Sequence, residues 1–214
     1  MVRNGMETGA MATRYLYLVR HGEALPDESG LSENGRRQAT LLGRRLAERP
    51  IAVVHHGPLP RAAQTAQLIG EHLDGAALQV SEAAGDYVPY VPERDELPSD
   101  SADFLLRFVA GAPAGDRERG PALARQALAL FTGPVAGDTE RHELVVTHNF
   151  LVGWLVRHAL DAPSWRWLGL NQGNAALTVI RYAPGRPASL LVHNDVRHLT
   201  DDLRWTGFPP DFRV

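Results

Sequence analysis

Cysteine and lysine are both absent from this sequence of 214 residues. The lack of cysteine excludes disulfide bonds, thiolate nucleophiles and sulfur-bound zinc or iron–sulfur clusters. The lack of lysine excludes Schiff-base chemistry and the phosphate-binding lysine of Walker-type loops. All 22 permanently basic positions are therefore arginine. An anionic ligand would be bound by guanidinium groups, whose planar shape suits phosphate.

Charge and hydropathy exclude further classes of protein. The formal net charge of -3 gives no cationic field for nucleic acid or for an anionic membrane. No apolar run has the length of a membrane span, and no secretory signal is evident near Met1. We therefore expect a globular cytoplasmic protein without nucleic-acid or membrane partners. The sequence does not determine the oligomeric state, and a homodimer stays open.

The chain divides into a short tail and one domain. Residues 1–14 are small and polar and hold all three methionines, Met1, Met6 and Met11, so we expect a disordered tail with an ambiguous start site. Residues 15–214 are expected to form a single domain in which strands and helices alternate. Strands are predicted at 15–21, 51–55, 78–82, 143–147, 176–182 and 189–193, and helices at 32–49, from 61 onward, and at 102–110, 121–131 and 150–160.

This order of elements predicts an α/β fold, a three-layer sandwich with a mostly parallel central sheet flanked by helices. The two last strands form a hairpin and are expected to add antiparallel strands to the sheet. Ser32 is the predicted N-cap of the first helix. Segment 111–120 is rich in glycine and carries a proline, and we predict a loop there between the third and fourth helices.

The residues that can carry chemistry lie where the predicted parallel strands end. Arg20 and His21 close the first strand, Glu82 closes the third and His148 closes the fourth, while Arg61 begins the helix after the second. Open sheets of this type bind ligands outside the carboxyl ends of their strands, so we expect these five side chains to converge. Arginines can hold a phosphoryl group, a neutral imidazole can attack phosphorus, and a carboxylic acid can protonate the leaving oxygen.

Five segments between Tyr15 and Leu199 carry distinctive residue patterns in chain order. They are 18–23 (Leu-Val-Arg-His-Gly-Glu), 31–39, 57–66 (beginning Gly-Pro-Leu-Pro-Arg), 145–149 (Val-Val-Thr-His-Asn) and 193–199 (His-Asn-Asp-Val-Arg-His-Leu). These segments resemble motifs of the histidine phosphatase (phosphoglycerate-mutase-like) superfamily. The sequence Arg-His-Gly alone is a weak signal, but five ordered matches are specific.

The resemblance implies a metal-independent and cofactor-free phosphatase that forms a phosphohistidine on His21. It places Arg20, Arg61, His148 and Asn149 around the phosphoryl group. The expected partner is a small phosphorylated substrate, and a phosphoprotein is not excluded.

The acid/base position of the family matches Glu82, and Asp86, four residues later, is the alternative. The sequence departs from the family at two other positions. Gly57 stands where serine is common, and Asp27 stands where mutase-like members place an asparagine near the phosphate. Because a carboxylate facing phosphate would be repulsive, either Asp27 points away or the substrate enters differently.

The substrate itself is not identified by the sequence. Residues 83–101 and the two following helices are expected to determine it, with Glu23, Tyr87, Tyr90 and Arg94 as candidate contacts. Three alternatives stay open: a phosphomutase of the same superfamily, a non-catalytic phosphate-binding module on this fold, and a His/Glu metal site. The last has no short ligand motif in its favour.

Overall fold

A computed structural model describes residues 9–208 together with 211 and 213. Eight strands and five helices are present in this part of the chain. They are β1 (Met11–Ala12), β2 (Arg14–Arg20), α1 (Glu33–Leu46), β3 (Ile51–His56), α2 (Pro60–Gly70), β4 (Ala77–Val80), α3 (Ala102–Ala110), α4 (Ala114–Phe131), β5 (Val135–Ala136), β6 (Arg141–Thr147), α5 (Asn149–Ala159), β7 (Leu177–Tyr182) and β8 (Ser189–Asp195).

Six of the strands form one twisted sheet in the order β4-β3-β6-β2-β7-β8. The strands β4, β3, β6 and β2 are parallel to one another, and β7 and β8 continue the sheet in antiparallel fashion. The predicted fold class is confirmed. The short strands β1 and β5, which were not predicted, pair only with each other.

Helices cover both faces of this sheet, and alternate side chains of β2 are buried on opposite faces. Leu16 and Leu18 belong to a buried cluster that includes residues of α4 and α5. Tyr17 and Val19, one position out of phase, belong to a second cluster with residues of α1 and α2. Successive side chains of a strand point to opposite faces, so a strand buried on both faces is almost wholly apolar.

The loop between β2 and α1 is held tightly against the first turn of α1. As predicted, Ser32 caps that helix: its hydroxyl accepts a hydrogen bond of 3.0 Å from the Gly35 amide. A Cβ atom on Gly22 would come within 2.5 Å of the Gly35 carbonyl oxygen, and one on Gly35 would collide with the Glu23 carbonyl. Two glycines are therefore needed for this close approach, which fixes the backbone directly after His21.

Two predicted boundaries are wrong in the middle of the chain. Helix α4 begins at Ala114, so most of the predicted loop 111–120 is helical and Pro121 lies inside the helix. The glycine and proline content concealed this helix, which is held by tertiary contact: Gly120 packs so closely on the Val88 backbone that a Cβ atom would collide with it. Strand β4 ends at Val80 rather than at residue 82, and a 3-10 turn, Glu82–Ala84, follows.

The predicted tail also ends too late in the sequence. Met11–Ala12 pair with Val135–Ala136, and Arg14 already belongs to β2. Met1 and Met6 lie outside the described residues. No helix in the described ranges is long and apolar enough to cross a bilayer.

Candidate active site

Two histidine rings lie side by side at the carboxyl ends of the parallel strands. The ring centroids of His21 and His148 are 5.0 Å apart. Both rings line a cavity of about 370 Å³. Its lining comprises Arg20, His21, Asp86, Phe108, His148, Asn149, Phe150, Asn171, Gly207 and Phe208. Arg61 contacts the cavity residue Asp86, so the structure brings together four of the five residues expected to converge.

His21 presents an unprotonated nitrogen in this cavity. Its Nδ1 lies 2.7 Å from the carbonyl oxygen of Gly22. A carbonyl oxygen can only accept, so Nδ1 carries the proton and Nε2 keeps a free lone pair. Burial, followed by the nearby His148 and Arg20, lowers the pKa of His21 well below its ordinary value, and the Gly22 hydrogen bond only partly opposes this. The imidazole is therefore neutral near pH 7.

His148 immediately precedes α5 and is almost fully buried. Burial first, and then Arg61 and Arg20, lowers the pKa of His148 to about 3. Its Nδ1 lies 3.3 Å from Oδ2 of Asp86, but neither ring nitrogen has an aligned hydrogen-bond partner among the described residues. Because buried polar groups in proteins are normally paired, an incoming ligand would satisfy this ring.

Two arginines flank the histidines, Arg61 buried and Arg20 half-buried. Arg61, in the first turn of α2, donates to Oε2 of Glu28 at 3.0 Å and to Oδ2 of Asp86 at 2.8 Å. Arg20 donates to the carbonyl oxygens of Gln172, at 2.7 Å, and Gly207, at 3.2 Å. Burial lowers the pKa of Arg20 to about 10, with Asp86 opposing, so this guanidinium group stays charged at neutral pH. The site is thus cationic and preorganised.

Asp86, and not Glu82, supplies the carboxyl group of the cavity. Glu82 begins the 3-10 turn after β4, is exposed and is not among the residues that line the cavity. The prediction failed because β4 ends two residues early and the turn buries Ala83 and Ala84 instead, directing Glu82 to solvent. The turn is anchored by a 2.7 Å hydrogen bond from the Thr147 hydroxyl to the Ala84 carbonyl.

The side chain of Asp86 is 37 % exposed and contacts both Arg61 and His148. Burial raises the pKa of Asp86, and the charges of Arg61 and Arg20 act in the opposite direction. A carboxyl group with a raised pKa beside a neutral imidazole is suited to proton transfer.

Both departures from the family pattern have a structural explanation. A Cβ atom on Gly57 would lie 2.6 Å from the Ala84 carbonyl oxygen and 3.2 Å from Nε2 of His148, so a larger residue does not fit here. Asp27 is exposed and accepts hydrogen bonds from the Ser29 amide and hydroxyl. Its carboxylate is engaged by its own loop, and the adjacent Glu28 approaches Arg61 instead.

The remaining predicted residues separate into two groups. Asn149 lines the cavity, and its Oδ1 accepts from the Gln172 amide at 2.7 Å. Tyr87 is buried and lines an adjoining groove, with its hydroxyl donating to the Ala83 carbonyl.

Three substrate candidates are wrong in position, since the structure pairs each with a neighbour away from the lining of the cavity and the groove. Glu23 accepts from the Ser32 hydroxyl at 2.6 Å. Tyr90 donates to Glu96, and Arg94 forms an exposed ion pair with Asp103.

Several residues of the site were not predicted. Phe150 directly follows the second-histidine motif, and this position could have revealed it. Phe108 lies on α3, one of the two helices expected to determine the substrate, although the residue itself was not singled out. No sequence signal indicated the others. Loops bring Glu28 to Arg61 and Asn171 to the cavity, and the C-terminal segment brings Gly207 and Phe208 there. Within the described residues, no group of three His, Asp or Glu side chains is arranged to hold a metal ion. Metal independence stays a prediction.

Two neutral histidines, two arginines and one carboxyl group therefore lie together at the carboxyl ends of the parallel strands, an arrangement suited to an anionic ligand such as a phosphoryl group. The family model of the histidine phosphatase superfamily (branch 1) matches residues 16–195. The chain belongs to this superfamily.

Curated relatives include mitochondrial serine/threonine-protein phosphatases named Pgam5. The Caenorhabditis briggsae protein is 29% identical over 201 residues, which cover 91% of this chain and 67% of the relative. The Homo sapiens protein is 26% identical over 219 residues, which cover 94% and 66%. This chain therefore spans about two thirds of the length of these relatives.

Solved structures support the fold. A protein described as mycobacterial hydrolase 1 has a TM-score of 0.64 at 23% identity and covers 86% of this chain and 99% of its own. A phosphoglycerate mutase from Plasmodium falciparum has a TM-score of 0.59 at 20% identity, with coverage of 89% and 96%.

Proposed function

We propose that the protein hydrolyses phosphomonoesters through a covalent phosphohistidine on His21. The observation that carries this proposal is the hydrogen bond from Nδ1 of His21 to the Gly22 carbonyl. It fixes the tautomer and leaves Nε2 as a nucleophile within a cavity that also holds Arg20 and His148.

In the first step, Nε2 of His21 forms a bond to phosphorus while the bond from phosphorus to the leaving oxygen breaks. Asp86, protonated at this stage, donates its proton to the leaving alcohol. In the second step the Asp86 carboxylate removes a proton from water, the water oxygen attacks phosphorus and the N–P bond breaks. Inorganic phosphate leaves, and His21 and protonated Asp86 are restored.

In this proposal the two arginines act by position and charge, and the neutral His148 acts as a hydrogen-bond partner. Arg20, Arg61 and His148 would interact with the non-reacting oxygens, whose charge is redistributed in the transition state. Binding of a phosphate dianion beside Asp86 raises its pKa further, because a nearby negative charge disfavours the carboxylate. The substrate therefore helps to protonate the acid that its own cleavage requires.

Hydrolysis is favoured over mutase activity. Asp27, where mutase-like members place an asparagine, is turned into its own loop. The relatives with the highest sequence similarity reported above carry phosphatase names, which supports transfer to water. Both a small ester and a phosphorylated protein residue remain within the proposed substrate class. The cytoplasmic location stays a prediction.

The test compares His21→Ala with His56→Ala. His56 is a matched control, since it also ends a parallel strand and its Nδ1 contacts the carbonyl of the following glycine at 2.9 Å. We expect His21→Ala to release phosphate at background rate while His56→Ala stays within about twofold of wild type. Quenching with an alkaline denaturant during turnover should trap a base-stable, acid-labile phosphoenzyme only where His21 is present. Substantial turnover by folded His21→Ala would overturn the mechanism.

A chelator experiment separates this mechanism from the metal alternative. Activity should persist in excess chelator, because every proposed step uses side chains of the chain itself. Reversible loss of activity on chelation, restored by a divalent cation, would support the His/Glu metal site instead.

A further inference from the structure

Two phenylalanines join the phosphoryl cavity to the rest of the cleft. Phe108 of α3 and Phe150 of α5 line the cavity of about 370 Å³. The same two side chains line a wider groove of about 740 Å³ and a narrow apolar cleft of about 170 Å³. Their rings pack edge to face with centroids 5.9 Å apart, and Phe150 packs in the same way on Trp167 at 4.8 Å. The two rings therefore lie where the cavity, the groove and the cleft meet.

Helix α3 exposes more apolar surface here than its own fold requires. Its sequence is strongly apolar, yet only Ala102 and Val109 are buried. Phe104 and Phe108, one helical turn apart on one face, are 64% and 48% exposed. Large exposed rings beside a functional cavity indicate a surface that a ligand covers.

The position of Asp86 shows which opening the substrate uses. Asp86 lines both the phosphoryl cavity and the wider groove, and it is absent from the lining of the narrow cleft. As the proposed donor to the leaving oxygen, Asp86 lies on the side of the leaving group. The organic part of the ester therefore extends into the groove, across Phe108 and Phe150.

The charges of the groove are mostly neutralised by one another. Arg119 pairs with Asp116 at 2.8 Å, and Glu28 pairs with Arg61 at 3.0 Å. Arg107, which is exposed, has no ion-pair partner among the described residues, and it is the one feature that would favour a second anionic group. The rest of the lining is largely apolar and includes Leu59, Val88, Ala112 and Pro113.

We infer that Phe108 and Phe150 form an apolar subsite for the leaving group, so that the preferred phosphomonoesters carry an aromatic or bulky aliphatic group close to the ester oxygen. This inference rests on the proposed hydrolysis, because Asp86 defines the leaving side.

The test uses esters of primary alcohols, whose leaving groups differ little in chemistry. Wild-type kcat/KM for 2-phenylethyl phosphate should exceed that for ethyl phosphate by about ten- to hundredfold, the effect of burying a phenyl group. Phe108→Ala should lose most of this ratio, because its kcat/KM should fall much further for 2-phenylethyl phosphate than for ethyl phosphate. Phe108→Leu should fall between them. Leu191→Ala, which removes a comparably exposed side chain on the distant strand β8, should leave the ratio unchanged.

Three results would overturn the subsite: equal kcat/KM for the two esters, a ratio unaffected by Phe108→Ala, or a preference for 3-carboxypropyl over butyl phosphate that Arg107→Gln abolishes. The last would make the groove an anion subsite. Calorimetric binding of 2-phenylethyl- and ethylphosphonate, which cannot be hydrolysed, separates this inference from the proposed function. Tighter binding of 2-phenylethylphosphonate, without hydrolysis of any ester, would contradict the proposed hydrolysis but support the apolar subsite. Equal binding of the two phosphonates would contradict the apolar subsite alone.

Discussion

Replacing Asp86 by asparagine should slow the cleavage of esters with poor leaving groups far more than that of activated esters. Loss of a general acid costs about 10²–10⁴ in rate. Because the Asp86 side chain is 37% exposed, water can partly substitute for it, so we expect the lower part of this range, about 10²–10³. At about 1.4 kcal/mol per decade, this corresponds to a barrier higher by about 3–4 kcal/mol for an alkyl phosphate.

The assay compares an alkyl phosphate with p-nitrophenyl phosphate, whose leaving group departs without a proton. With p-nitrophenyl phosphate, Asp86→Asn should still give a burst of p-nitrophenolate, followed by slow turnover because water is no longer activated. Glu82→Gln is the matched control and should stay within about twofold of wild type on both esters. An equal loss on both esters without a burst, or a comparable loss in Glu82→Gln, would refute the assignment of Asp86.

Three further predictions concern the rest of the site. The pKa of His148 is lowered to about 3 in the folded protein, so below about pH 6.5 the unfolded state takes up a proton that the folded state does not. This residue alone should therefore lower the free energy of unfolding by about 1.4 kcal/mol between pH 7.5 and pH 5.5. His148→Asn should remove that part of the pH dependence measured by urea unfolding. Gly57→Ala should lower the free energy of unfolding by about 1–3 kcal/mol and reduce kcat, because its Cβ atom would collide with the Ala84 carbonyl. Gly115→Ala, where a Cβ atom meets nothing within 4 Å, should be neutral or stabilising. Equal effects of the two substitutions in thermal unfolding would contradict this steric explanation. Glu28→Gln should lower the inhibition constant of inorganic phosphate roughly two- to fivefold by removing a competitor for Arg61, with the exposed Glu118→Gln unchanged, and weaker inhibition would reverse the role given to Glu28.

The parts of the fold that follow local rules could be predicted from the sequence. β2 was recognisable because both faces of the sheet are covered, and α1 because Ser32 caps an amphipathic segment. The start of α4 could not be predicted. Its first turns contain residues that locally favour a loop, and the contact of Gly120 with the Val88 backbone, far away in the sequence, keeps them helical.

The same distinction applies to the site. His21, Arg61 and His148 lie next to strand ends and helix starts, so topology alone brings them to one edge. Glu82 was misplaced because the position of its carboxyl group depends on where an exposed edge strand stops and on how the next turn folds. The aromatic walls depend on packing between α3, α5 and the C-terminal segment, for which no motif exists.

The charges around Arg61 suggest how substrate binding and proton transfer are connected. In the free site this guanidinium is shared by two carboxylates, Glu28 at 3.0 Å and Asp86 at 2.8 Å, so its charge is already largely compensated. Glu28 is 70% exposed and can move into solvent at little cost, whereas Asp86 is held beside His148. A phosphate dianion would therefore displace Glu28 and remain next to Asp86. The bound phosphate would share the charge of Arg61, which stabilises the Asp86 carboxylate in the free site, and would add a negative neighbour. The pKa of Asp86 would therefore rise when a proton is needed. Departure of the phosphate would reverse both changes.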